Sequence, residues 1–136
     1  MDFLFFMLKK ILVLDKGGMA PLFVRRLESK LNCSIEVTKE GSYARSFLES
    51  NKVSLAIINP YVEQGGIIES YVYFVKNYLK EKNIPVLIFS RAGIERLAER
   101  KAFDLDLVLI QDYQEYLKKP ASLDKFVECI RGLIEV

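Results

Sequence analysis

Five residues stand where apolar runs give way to turns or prolines and could share one site: Asp15, Lys16, Asn59, Ser90 and Lys119. One carboxylate and two ammonium groups could form an internal ion pair. Alternatively, the lysines, the Ser90 hydroxyl and backbone N–H groups near Gly17-Gly18 could bind a small anion, since turns and helix starts point N–H groups outward. Gly17-Gly18 lacks the spacing of a phosphate-binding loop or a dinucleotide fingerprint. The chain has no histidine, which removes the commonest neutral-pH base and the commonest metal ligand. Cys33 and Cys129 lie far apart with no paired motif, so zinc binding and Ser-His or Cys-His catalysis are excluded. With no paired acids at the strand ends, only Lys16 and Lys119 remain for covalent chemistry. The expectation is a non-enzyme with no catalytic residue, metal or cofactor.

The elements that must place these residues alternate regularly along the chain. At 136 residues and 51% hydrophobic, one domain can bury roughly two-thirds of its unfolded-chain surface without a disulfide or a metal. Twenty Lys and Arg interleave with eighteen Asp and Glu; no basic block is present to neutralise a run of phosphates, so nucleic acid is not an expected partner. The thiols are expected to be buried and free in a reducing cytoplasm. Met1-Asp2-Phe3-Leu4-Phe5-Phe6-Met7 is apolar but too short to span a membrane, and it lacks the cations and cleavage site of a signal peptide. Residues 1–7 are read as an extension ahead of a domain over 8–136. Residues 1–6 are either an upstream addition from a mis-assigned start or an apolar tail that docks on a partner.

Short apolar runs alternate with amphipathic segments, the pattern of a doubly wound α/β fold: a parallel sheet of five strands with helices on both faces. Ile11–Leu14 is an unbroken aliphatic first strand. A helix follows from Pro21 to Leu31. Ser34–Thr38 alternates as an edge strand does, and Ser42 is the expected cap of a short helix through Phe47 and Leu48. Val53–Ile58 is the third strand, ended by Asn59-Pro60. Ile67–Lys82 reads as a helix rich in aromatics, Tyr71, Tyr73, Phe74 and Tyr78, most of them packing residues. Pro85–Phe89 is the fourth strand and Ile94–Phe103 a charged helix. Either Leu105–Ile110 or Glu115–Lys118 is the fifth strand. Ser122 caps the last helix, marked by Leu123, Phe126, Val127, Ile130, Leu133 and Ile134.

Open sheets of this kind bind ligands beyond the carboxyl ends of their strands, and there the chain resembles the receiver domain of bacterial response regulators from about Leu8 onward. Lys9-Lys10-Ile11-Leu12-Val13-Leu14-Asp15-Lys16 is similar to the family's first strand, which ends in two acids; here the second is Lys16. Asn59 falls where the family carries its phospho-accepting aspartate, with Gly65-Gly66 following as the family's loop glycine does. Ser90 matches the hydroxyl residue that binds the phosphoryl group. Lys119-Pro120 matches the family's Lys-Pro pair, and Tyr116 its switch aromatic. The interval from Ser90 to Lys119 is several residues longer than the family's, and Pro60 after Asn59 is atypical.

The resemblance implies a flavodoxin-like, three-layer sheet of order 2-1-3-4-5 with a degenerate phosphorylation pocket. An amide cannot form an acyl phosphate. At the matched positions formal charge moves from about minus two to about plus one, whereas magnesium wants carboxylates around it. A dication near Lys16 and Lys119 would face repulsion of about 1 kcal/mol or more per close pair at an effective dielectric of ~20. The implied function is a phosphorylation-independent pseudo-receiver: a cytoplasmic protein–protein interaction module in prokaryotic signal transduction or two-component regulation. It would not insert into a membrane. By resemblance, a signalling partner or a second copy would dock near Arg96 and Arg100 of the fourth helix. The alternative is a sensor domain for a small anionic metabolite or nucleotide.

Overall fold

The computed structural model describes residues 8–59, 71, 74–90, 115–118 and 121–134. Five strands form one sheet: β1 (Lys9–Asp15), β2 (Cys33–Thr38), β3 (Leu55–Asn59), β4 (Val86–Ser90) and β5 (Glu115–Lys118). All pairs are parallel, in the order β2-β1-β3-β4-β5, the doubly wound order expected. Glu115–Lys118 is therefore the fifth strand; Leu105–Ile110, the other candidate, lies outside the described residues. The alternating Ser34–Thr38 run does sit at a sheet edge.

The aliphatic runs are continuous because the sheet is covered on both faces. Successive side chains of a strand point to opposite sides. Leu12, Leu14, Ala56, Ile58, Val86 and Ile88 pack with Ala44, Leu48, Tyr71, Phe74 and Leu79 on one side. Ile11, Val13, Leu55, Ile57, Leu87 and Phe89 pack with Leu27, Phe126, Val127, Ile130 and Ile134 on the other. The second layer belongs to helices α1 (Pro21–Leu31) and α3 (Leu123–Ile134), the first to helix α2 (Gly41–Ser50) and the segment around residues 71–79. Phe126 meets Phe89 and Phe23 edge to face, at centroid distances of 4.6 and 5.5 Å.

Local chemistry sets the helix ends. Pro21 opens α1, where its missing N–H is not needed. Asn32 closes it in the left-handed conformation (φ 51°), donating its N–H to the Glu28 carbonyl. The Ser122 hydroxyl accepts the Lys125 N–H at 3.2 Å, the cap expected for α3.

Two expectations are corrected. Ser42 is not the cap of α2: the helix already includes Gly41, with Glu40 extended before it and no side-chain cap. Thr38 does the local work instead, its hydroxyl accepting the Glu40 N–H at 3.1 Å. The helix expected over Ile67–Lys82 is also not regular to its end. Val75–Leu79 is π-helical, and the chain turns at Asn83 (φ 57°), where the Ile84 N–H reaches the Leu79 carbonyl at 2.9 Å. The wider turn has a packing cause: it brings Phe74 and Leu79, five residues apart, to the core together. Residues 1–7, expected as an extension, and the expected helix Ile94–Phe103 lie outside the described residues.

Candidate functional site

Parallel pairing sets the carboxyl ends of the strands in a row. Asp15 pairs in register with Asn59, and Ser90 with Lys118. The sheet thus brings Asp15 and Asn59 together. Ser90 ends the neighbouring strand, and Tyr116 lies on β5 opposite Ile88. Lys119, Arg96 and Arg100 lie outside the described residues.

Asp15 is only 2% exposed, so its carboxylate needs hydrogen-bond donors to replace water. The Gly17 N–H reaches Oδ1 at 2.9 Å and Asn59 Nδ2 reaches the same oxygen at 3.2 Å. An ionised carboxylate only accepts, which fixes the amide with its NH2 toward Asp15. The Asp15 carbonyl also accepts the Gly18 N–H at 2.9 Å. Both glycine N–H groups considered for an anion therefore point back into the turn. Gly18 has φ +74°, a conformation that favours glycine, and a Cβ there would stand 3.3 Å from Lys39 Cε. Lys16 is exposed, directed to solvent beside the buried acid.

Two residues at this end escaped the sequence reading. Lys39, directly after β2, carries its side chain over Gly18 and adds a cation to the site. Its position one residue past a strand terminus was the available signal. Tyr71, read as packing, is buried in the core but donates its hydroxyl to the Lys39 carbonyl at 2.8 Å. Burial, then the negative charges of Asp15 and Glu40, push its pKa up to about 12. Nothing in an aromatic stripe distinguishes such a residue before the fold is known.

Magnesium does not fit these residues. It would need oxygen ligands, but Asn59 turns an N–H donor toward the Asp15 oxygen, and a lysine follows Asp15 where a second acid would be needed. Among the described residues no three His, Cys, Asp or Glu side chains gather closely enough to hold a metal ion. Cys33 is a buried free thiol, and Cys129 is half-buried. Burial first, then Glu28, pushes the Cys33 pKa up to about 11, so it is not a thiolate at neutral pH.

No family model matches the sequence, and no curated protein does. Solved structures do. The chain is similar to a two-component response regulator from Clostridium difficile, with a TM-score of 0.67 and 16% identity over 93% of this chain and 96% of that one. It is similar to a CheY-like receiver domain protein from Methanospirillum hungatei JF-1, with a TM-score of 0.69 and 15% identity over 94% of each chain. A third match, TM-score 0.68 and 19% identity, comes from a family of redox sensors in the streptococci described as evolved from two-component response regulators. It covers 93% of this chain but only 51% of that one. The fold is that of response-regulator receiver domains.

Proposed function

We propose that this chain is a pseudo-receiver: a receiver fold that works through contact with a protein partner in signal transduction and not through phosphorylation. The Asn59–Asp15 hydrogen bond carries this reading. The position from which a receiver would attack a phosphoryl donor holds an amide, and that amide binds the acid a metal would need. Lys16 and Lys39 beside it complete a site whose charge opposes a dication. The protein is not an enzyme and acts in the cytoplasm of a prokaryote, as one domain over residues 8–136. Arg96 and Arg100 remain the proposed docking residues, with a second copy of the chain as one candidate partner. Tyr116 is the counterpart of the switch aromatic. The streptococcal match supports the idea that such a fold can be kept for other signalling duties. The anion-sensor alternative is less favoured, because the Gly17 and Gly18 N–H groups already donate within their own turn.

A magnesium titration followed by amide NMR tests the site. The resonances of Asp15 to Gly18 should stay unmoved at millimolar magnesium, and a saturable shift centred on Asp15 and Asn59 would refute the reading.

A further inference from the structure

Strand β2 lies at one end of the strand order and, among the described strands, pairs only with β1. An edge strand turns a row of N–H and C=O groups outward, a template on which another strand can pair. Here that row is interrupted. The Ile35 N–H, near the middle of β2, donates to Glu28 Oε2 at 2.8 Å. It therefore points away from β1, and the Val37 N–H, two residues on, faces outward with it. Glu28 is set for this contact. It lies in the last turn of α1, and its carbonyl accepts the Asn32 N–H that closes the helix just before β2 begins at Cys33. Arg131 of α3 donates to the Lys30 carbonyl at 3.0 Å, which ties down the same helix end. The partial negative charge of a helix C-terminus opposes an acid in the final turn, and this acid is half-buried. Helix chemistry therefore does not account for Glu28, whereas the N–H of the strand does.

We infer that Glu28 guards β2 against a second copy of the chain: while it holds the Ile35 N–H the edge stays single, and without it two copies pair antiparallel through β2. The strand itself specifies the pairing. In an antiparallel pair, residues whose backbone groups face the partner exchange both hydrogen bonds, so Ile35 and Val37 must meet outward-facing residues of the other copy. Two symmetric registers overlap most of the strand, one centred on Glu36 and one on Ile35. The first sets Glu36 against Glu36 of the other copy, and like charges directly opposite are destabilising. The second sets Glu36 against Ser34, Val37 against Cys33 and Ile35 against Ile35, with no like charges opposed. Its central pair exchanges the two Ile35 N–H groups, which are the groups that Glu28 occupies in each copy. The inference is independent of the pseudo-receiver reading and uses no residue of the carboxyl-end site.

Light scattering of the full chain over a concentration series, joined to amide exchange by NMR, tests this. Glu28→Ala should double in mass relative to the wild-type protein as concentration rises. In dilute solution its Ile35 amide should exchange roughly tenfold faster than in the wild-type protein, the effect of losing a hydrogen bond to a charged group. In the associated form the Ile35 and Val37 amides should both be protected. Glu28→Gln keeps an oxygen acceptor for Ile35 and should behave as the wild-type protein does. Alanine is the best helix former, so circular dichroism should show an unchanged fold; Glu28→Ser, with a side chain too short to reach the strand, serves if Glu28→Ala is unfolded. Wild-type mass at every concentration, association that leaves the Ile35 and Val37 amides unprotected, or association of Glu28→Gln equal to that of Glu28→Ala would each overturn the inference.

Discussion

Asn59 and Asp15 form the pair on which the proposed function turns, because an amide ends β3 and hydrogen-bonds the buried acid at the end of β1. Restoring an acid there should not restore a receiver. Asn59→Asp would set two carboxylates in register on adjacent strands with a donor lost between them, at a cost of about 1–3 kcal/mol. Like charges raise the pKa of such a pair in the folded state. The penalty is thus present at pH 7 and relieved as falling pH protonates one partner; urea unfolding at pH 7 and pH 5 should show the difference narrowing. Tyr71 makes a separate pH prediction. Its pKa is raised in the folded protein to about 12 from an ordinary value near 10. Its stabilising effect is therefore intact below pH 10 and lost as pH climbs toward 12. Tyr71→Phe should be less stable than the parent by about 1 kcal/mol at pH 7, from the lost hydrogen bond to Lys39. Denaturation curves at alkaline pH should bring the two proteins closer.

Elements were legible wherever a local rule decided them. Pro21 and Ser122 start their helices as their backbone and side-chain chemistry demand. Ser122→Ala should accordingly cost about 1 kcal/mol in thermal or urea unfolding, whereas Ser42→Ala should cost less, since Ser42 is no cap. That misassignment has a physical source: a serine before an apolar periodic run satisfies the cap pattern, but here the chain has already turned helical at Gly41 and Thr38 has taken the Glu40 N–H. The π-helical turn was illegible for a different reason. Only the sheet surface reveals that Phe74 and Leu79 must both be buried, and periodicity along the chain favours the α-helix by default. In the site, Asp15 and Asn59 could be read from strand ends, while Lys39 and Tyr71 reach it from segments distant in sequence.

At the scale of the molecule, a sheet buried on both faces carries at one end a buried acid, Asp15, hydrogen-bonded by Asn59, with Lys16 and Lys39 beside it. Ile11, Leu12, Val13 and Leu14 of β1 are buried in the core ahead of Asp15. On the proposed reading, a scaffold packed in this way keeps its fold without phosphotransfer chemistry and works through its surfaces. Intact-mass spectrometry after incubation with acetyl phosphate and magnesium is the most direct test. An unchanged mass is predicted for the protein; a stable gain of one phosphoryl group, mapped to the end of β3 or to Asp15, would contradict it.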